Sequence, residues 1–360
     1  MTMLTPDWPG NFWAHWAVFT VIILVYVLLM VLGFIWFERR SMAIMQARLG
    51  PNRAGPFGLF QSPADALKVM LKEDIIPSRA DKVVHWLAPV IAFFPVMMVL
   101  AVVPFQGGAL LADLNVGVLY IVAISSITTL GIFMAGWGSN SKYSLLGAMR
   151  QVATVVSYEI PVILSLVGVI IITGSLSLQQ IVMAQDVPFI LVQPLGFLLF
   201  FTGALAEINR APFDLTEADS ELVAGYMTEY SGMKFGLFFL AEYGEALVIS
   251  SIVTTLFLGG WRGPLLPDWL WFLVKVGAVF LFIVWIRTTV PRVRIDQLMA
   301  LAWKFLFPLA LINLLVTAVE VLVWPDVSLW VLVPINFAVM IVLVLLWSKF
   351  FKLGWGRVNV

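Results

Sequence analysis

Cysteine is absent from all 360 residues of the chain, and histidine occurs only twice. The lack of cysteine excludes disulfides, iron–sulfur ligation and thiolate metal sites within this chain. The two histidines, His15 and His85, lie too far apart in the sequence to suggest a paired set of ligands. Glycine-rich nucleotide motifs of the GxGxxG or GxxxxGK type are also missing. If the protein takes part in redox chemistry, the electron-carrying cofactor therefore lies in another chain.

Charge is scarce as well. Only 12% of the residues are charged, 61% are hydrophobic, the mean hydropathy is +1.00 and the formal net charge is zero. Apolar runs of about 20 residues recur along the chain, which excludes a soluble globular domain and predicts helices that cross a bilayer. Because these runs are continuous rather than alternating, they do not fit a closed β-barrel. The predicted fold class is an all-α, polytopic membrane protein.

The hydropathy pattern predicts about nine spans in a single membrane domain, residues 1–350, followed by a C-terminal tail, 351–360. A long first connection covers residues 38–82, and an acidic connection covers 208–234. The predicted spans are 14–37, 83–104, 115–138, 151–173, 188–207, 235–258, 268–290, 304–323 and 328–348.

The distribution of basic residues predicts the orientation of these spans. The first, third, fifth and seventh connections, together with the C-terminal tail, hold every Lys and Arg except Arg262 and Lys275. Lys and Arg concentrate on the cytoplasmic side of membrane proteins. We therefore expect the N-terminus outside, the C-terminus inside, and the functional connections on the inner face.

The most polar stretch of the chain covers residues 207–230 and contains six carboxylates but a single basic residue, Arg210. Thr216 and Asp219 have the spacing of a helix capping box, so Asp219, and with it Glu217, has a structural explanation. Capping does not explain the remaining carboxylates of the stretch. These are Glu207, Asp214, Glu221 and Glu229.

Several carboxylates lie within the predicted spans, where an ionisable group is costly and by default indicates ion or substrate traffic. Glu159 lies about 13 Å deeper than Arg150 on an otherwise apolar helix, at 1.5 Å per residue. Glu242 and Glu245 are three residues apart and share one helix face. Hydrogen bonding between helices would explain each of these acids singly. Together with Glu207 they predict a buried acidic chain that relays protons.

Two further features have open alternatives. Topology alone explains the arginines of the first connection but not Glu38, for which a lining of paired Glu and Arg is equally consistent. Within the spans, Lys275 and Glu320 would either pair with each other or extend toward opposite surfaces.

Four blocks of the sequence resemble the H subunit, the quinone-channel membrane subunit, of proton-pumping NADH–quinone oxidoreductase, respiratory complex I. The resemblance covers about residues 37–313, and its blocks follow the family order. They are ERR…QARLGPNRAGPFGLFQSPADALKVMLKED (38–74), GSNSKYSLLGAMRQVATVVSYEIP (138–161), AEINRAPFDLTEADSELVAGYMTEYSGMKFGLFFLAEY (206–243) and PRVRIDQLMALAWKFLFP (291–308).

The resemblance implies a chamber through which ubiquinone or menaquinone moves from the bilayer toward a peripheral arm. By motif, the quinone chamber and its docking region would include Glu38, Arg39, Arg48, Asp65, Arg150, Asp214, Glu217, Glu221 and Glu229. The buried carboxylates that lead protons or charge toward antiporter-like subunits would include Glu159, Glu207 and Glu242, with Glu245 added from its shared helix face.

The resemblance also implies partners and a location. Peripheral-arm subunits with the quinone headgroup site and the iron–sulfur clusters would dock on the cytoplasmic side, with small and antiporter-like membrane subunits alongside and lipid around them. No nucleic acid is expected, and the location would be a bacterial inner membrane. Two alternatives are the homologous subunit of a membrane-bound hydrogenase and a stand-alone proton-coupled transporter. The completeness of the inside connections disfavours the first, and the lack of a convincing internal repeat disfavours the second.

Overall fold

The computed structural model describes residues 12–107, 112–214, 224–324 and 328–350. Over these ranges the chain folds into helices without a β-strand, which confirms the predicted all-α class. Eight described helices are long and apolar enough to cross a membrane, and α8 is a shorter apolar helix. The helices are α1 (Phe12–Met45), α2 (Gln61–Leu71), α3 (Lys82–Leu100), α4 (Gly117–Gly138), α5 (Lys142–Thr173), α6 (Leu178–Ala184), α7 (Phe189–Val192), α8 (Pro194–Glu207), α9 (Gly232–Phe257), α10 (Asp268–Thr289), α11 (Ile295–Val323) and α12 (Leu329–Phe350).

Small residues allow the central helices to approach closely, as is usual in membrane bundles. α3, α4 and α5 lie side by side, and α5 also packs against α8. A Cβ added to Gly131 of α4 would lie 2.7 Å from the backbone nitrogen of Ala92 in α3. One added to Gly147 of α5 would lie 2.7 Å from the Cα of Gly225. The second contact places the end of the acidic connection directly on α5.

Four connections come together at one end of the bundle, which we call the polar end. It consists of residues 46–81, 139–141, 208–214 with 224–231, and 290–294. Hydrogen bonds of 2.9–3.0 Å join these connections, from the Asp81 N–H to the Gly138 carbonyl, from the Ser231 hydroxyl to the Glu73 carbonyl and from the Val293 N–H to the Pro212 carbonyl. The acidic connection therefore lies against the first, and residues from distant parts of the sequence share one surface.

Residues 188–207, predicted as one span, hold two helices with a break at Gln193. The Gln193 backbone is non-helical, with φ −127° and ψ 65°, and Pro194 follows it without an N–H to continue the helix. Side chains from α11 and α12 bind at the break. Gln193 Nε2 donates to Thr317 Oγ1 over 2.9 Å, and Asn336 Nδ2 donates to the Val192 carbonyl over 2.8 Å. The helix break therefore costs less free energy, because the polar groups at the break have hydrogen-bond partners within the bundle.

Lys275 and Glu320 have separate partners. The Lys275 ammonium donates to the carbonyls of Leu258, Gly260 and Arg262 over 2.7–2.9 Å, and so satisfies backbone acceptors beyond the C-terminal end of α9. Glu320, on α11, accepts a hydrogen bond of 3.1 Å from Asn336 of α12. From the sequence, Lys275 and Glu320 would either pair with each other or extend toward opposite surfaces. In the structure each binds its own nearby partners instead.

Candidate functional site

The centre of the site is Arg210, whose side chain is only 3% exposed. Its Nη1 lies 3.1 Å from Glu38 Oε1, at the polar end of α1, and its Nε lies 3.0 Å from Glu242 Oε1 on α9. The single cation of the acidic stretch therefore joins two carboxylates from distant helices. Burial alone would lower the pKa of the guanidinium, but the charges of Glu242 and Glu38 outweigh burial and raise that pKa. Arg210 stays charged at any working pH.

Two further side chains complete this group. Arg287, at the end of α10, also donates to Glu38 Oε1, so that Glu38 bridges two arginines. The Tyr243 ring lies 4.0 Å from the guanidinium carbon of Arg210, close enough for a cation–π contact. The two arginines and the two carboxylates, Glu38 and Glu242, carry no net charge together. We call Glu38, Arg210, Glu242 and Arg287 the buried ion cluster.

A cavity of about 70 Å³ lies between α3, α4, α5, α8 and α9. Glu159, Glu207 and Glu245 all line it, although most of its wall is apolar. A site needs roughly 10–15 Å³ of accessible volume to hold one water molecule, so this cavity has room for several. Three acids from three helices therefore share one small space in which water molecules could link them.

A second cavity, of about 20 Å³, adjoins the ion cluster and is lined by Glu242 and Glu245 together with Gln151 and Asn209. Glu245 lines both cavities. The spacing of Glu242 and Glu245 predicted a shared face, and both do face this cavity. Acidic groups therefore follow one another from Glu159 through Glu245 to Glu242 and the ion cluster.

Arg39 and Asp65 form a separate pair at the polar end. Arg39 Nη1 lies 2.5 Å from Asp65 Oδ2, and Gln61 donates to the other oxygen over 2.9 Å. Burial alone would raise the pKa of Asp65, but these hydrogen bonds, with the charges of Arg39 and Lys68, hold that pKa below its ordinary value. Arg48 is exposed and donates to Gln46 over 2.7 Å.

The remaining predicted site residues also belong to the polar end or to its edge. Arg150, Asp214 and Glu229 are half-buried. Glu229 precedes Tyr230, whose ring stacks on the fully buried His85 with centroids 4.0 Å apart. This stack fastens the end of the acidic connection to α3. Glu217 and Glu221, with the capping pair Thr216 and Asp219, lie outside the described residues.

Sequence reasoning missed three kinds of residue in this site. Arg287 entered only as one of the basic residues that predict the orientation, and Tyr243 only as the last residue of the block 206–243. The third is the run Ser125, Ser126, Ile127, Thr128 and Thr129 in α4, of which Ser126 donates to Glu159. Four hydroxyls within five residues of an apolar span are a visible signal, whereas the positions of Arg287 and Tyr243 depend on the fold.

Comparison with known proteins decides the family. Residues 18–318 match the model of the family described as NADH dehydrogenase. The chain belongs to the NADH dehydrogenase family. It is 61% identical over 351 residues to the H subunit of the NADH-quinone oxidoreductase of Dehalococcoides mccartyi strain CBDB1, which covers 98% of this chain and 99% of the relative.

A more distant relative supports the same family. The H subunit of the NADH-quinone oxidoreductase of Bacillus cytotoxicus is 50% identical over 317 residues, which covers 85% of this chain and 95% of the relative. The family predicted from four sequence blocks is thereby confirmed. This member of the NADH dehydrogenase family is a multi-pass membrane protein, and its ion cluster and two cavities lie within the matched residues.

Proposed function

We propose that the protein is the H subunit, a membrane component, of a proton-pumping NADH–quinone oxidoreductase, where it forms the quinone-access chamber and couples quinone reduction to proton translocation. The family and the names of its relatives support the enzyme. The observation that carries the coupling role is the cavity shared by Glu159, Glu207 and Glu245, which continues through Glu245 to the ion cluster.

The proposed chamber opens at the polar end, where charged residues from different connections converge. A quinone headgroup needs hydrogen-bond donors and acceptors, and the polar end offers both. The Arg39–Asp65 pair would form one part of the chamber wall. The residues proposed for the chamber are Glu38, Arg39, Arg48, Asp65, Arg150, Asp214, Glu217, Glu221 and Glu229.

The proposed relay consists of Glu159, Glu207, Glu242 and Glu245. Reduction of a quinone to a neutral quinol takes up two electrons and two protons. Side chains near the chamber that give up these protons become more negative, so the charge there changes during the reaction. Glu38 and Glu242 share Arg210, so a change of charge beside Glu38 also changes the field at Glu242 and Glu245. The buried ion cluster would thus connect events in the chamber to the protonation of the acids in the cavities.

Orientation and partners follow from the same proposal. The polar end would face the cytoplasm, because it belongs to the side whose connections, together with the C-terminal tail, hold every Lys and Arg except Arg262 and Lys275. Electrons would reach ubiquinone or menaquinone from peripheral-arm subunits that dock there, and the small and antiporter-like membrane subunits would lie alongside in the inner membrane. The N-terminus would then be outside.

Glu159→Gln tests the proposed relay. The amide keeps the size of the side chain but cannot ionise, so we expect NADH-driven quinone reduction and proton translocation to fall together by at least about tenfold. Electron transfer to an artificial hydrophilic acceptor should persist, because it does not require the membrane part. Both rates would be measured with the assembled enzyme in sealed vesicles.

Glu320→Gln is the matched control for this experiment. Glu320 is also a glutamate in a spanning helix, but it binds Asn336 rather than lining either cavity. Its amide variant should pump at the normal rate. Full-rate reduction and translocation in the Glu159→Gln enzyme would exclude Glu159 from the relay.

Arg39→Ala tests the proposed chamber. Removing one member of a partly exposed ion pair changes binding by about 1 kcal/mol, so the KM for quinone should rise about fivefold while artificial acceptors are reduced normally. Asp65→Asn should have a similar effect, and the double variant should add little, because both single changes break the same contact. An unchanged KM in Arg39→Ala would contradict a role for this pair in the chamber.

A further inference from the structure

Four hydroxyl side chains stand together in α4, a helix that otherwise consists mainly of apolar residues and glycine. They are Ser125, Ser126, Thr128 and Thr129. Serine and threonine in membrane helices commonly donate to a carbonyl one turn back, which satisfies the hydroxyl without any partner outside the helix. Ser125 follows this pattern, because its Oγ lies 3.0 Å from the Val122 carbonyl.

Ser126 differs from Ser125 in having two acceptors within reach. Its Oγ lies 3.0 Å from the Val122 carbonyl and also contacts Glu159 Oε1 across the α4–α5 interface. A hydroxyl has one hydrogen to donate and two lone pairs that can accept. At any moment Ser126 can therefore donate to Val122 or to Glu159, but not fully to both.

Thr128 stands toward Glu245 as Ser126 stands toward Glu159. The Thr128 and Glu245 side chains interact, and both residues line both cavities. Two residues of one helix thus hold two of the acids, which are contributed by α5 and α9. Because Ser126 and Thr128 belong to the same rigid helix, they also fix the separation between Glu159 and Glu245.

We propose that Ser126 and Thr128 are positioning residues of the proton relay, and that the Ser126 hydroxyl reverses its hydrogen bond when Glu159 gains or loses a proton. This inference depends on the function proposed above. When Glu159 is ionised, Ser126 donates its hydrogen to Glu159 Oε1. When Glu159 binds a proton, the carboxyl O–H donates to Ser126 Oγ, and the Ser126 hydrogen turns to the Val122 carbonyl.

The reversal leaves Glu159 with a hydrogen bond to Ser126 in both protonation states. Both protonation states of Glu159 keep a partner in an environment where a buried polar group without one is costly. The proton itself is neither supplied nor consumed by Ser126, since the hydroxyl keeps its single hydrogen throughout. Alanine at position 126 has no hydroxyl and could hydrogen-bond Glu159 in neither protonation state, whereas threonine would retain the hydroxyl.

Ser126→Ala is the direct test, made in the assembled enzyme in vesicles. We expect coupled quinone reduction to fall roughly tenfold, the factor that corresponds to one hydrogen bond to a charged group. The KM for quinone should stay unchanged, and the pH dependence of the coupled rate should shift, because Glu159 has lost a partner that responds to its charge. Ser126→Thr should restore both rate and pH profile. Thr128→Val, which keeps the shape of the side chain, should likewise lower the coupled rate.

Ser125→Ala is the matched control, because Ser125 is the neighbour of Ser126 in α4 but donates within its own helix rather than to Glu159. It should leave the rate and the pH profile as they are. A Ser126→Ala enzyme with wild-type rate and pH profile, beside a Glu159→Gln enzyme that has lost pumping, would overturn this inference and leave the relay standing. Normal pumping by Glu159→Gln would instead remove the relay itself. A fall in rate for Ser125→Ala equal to that for Ser126→Ala would also overturn the inference, because it would indicate a general effect on helix packing.

Discussion

Replacement of Arg210 by methionine should destabilise the assembled protein by about 3–5 kcal/mol, the usual cost of removing one partner from a buried ion pair. Arg210 is 3% exposed, and methionine would leave Glu242 and Glu38 without their shared cation. Arg287 still neutralises Glu38, so the uncompensated charge would be that of Glu242. We expect a large loss of assembled enzyme in membranes and a lower Tm for what remains.

A second substitution separates charge from packing in this experiment. Arg210→Met combined with Glu242→Gln removes one cation and one anion, and Glu38 with Arg287 remains as a neutral pair. The double variant should therefore recover much of the assembly that the single variant loses. Arg262→Met is the control, because Arg262 is partly exposed. Its contact with Asp186 is long, at 3.8 Å, and its other partners are the Met183 and Gln185 carbonyls, so its loss should cost less than that of Arg210. Equal loss in the single and double variants would show that packing of the guanidinium, rather than charge balance, is what matters.

Local sequence signals predicted the helices better than their ends. The first predicted span stops at residue 37 because charged residues follow, yet α1 continues to Met45. The helix can continue because Glu38 is neutralised by Arg210 and Arg287 inside the bundle. The break at Gln193 was hidden for the opposite reason, since the surrounding residues are uniformly apolar and only Pro194 indicates that the helix cannot continue.

Within the candidate site, too, some contacts follow from local sequence patterns and others depend on the fold. Glu242 and Glu245 share a helix face because of helical periodicity alone, so their separation of three residues was enough to predict the shared face. The contact between Glu38 and Arg210 joins residues 172 positions apart, and no local pattern determines it. The union of Glu159, Glu207 and Glu245 around one cavity likewise depends on how α5, α8 and α9 pack.

Replacement of Glu245 by glutamine should have the largest effect on coupling. Glu245 lines both cavities, so among the described residues it is the carboxylate that joins Glu159 and Glu207 to Glu242. Glutamine retains the volume of the side chain and its position beside Thr128 but cannot carry a proton from one cavity to the other. We expect coupled quinone reduction and proton translocation to fall about 100-fold, the lower range of what a positioned acid–base group contributes.

The shorter acid provides the control for Glu245. Glu245→Asp still ionises and should recover a substantial part of the coupled rate, although its carboxylate is one methylene farther from Thr128. The amount of assembled enzyme should be similar in both variants, because neither removes a member of the ion cluster. If Glu245→Gln reduces quinone and translocates protons at wild-type rates, protons do not pass between the cavities at this residue. The ion cluster would then influence Glu159 and Glu207 only through its electric field.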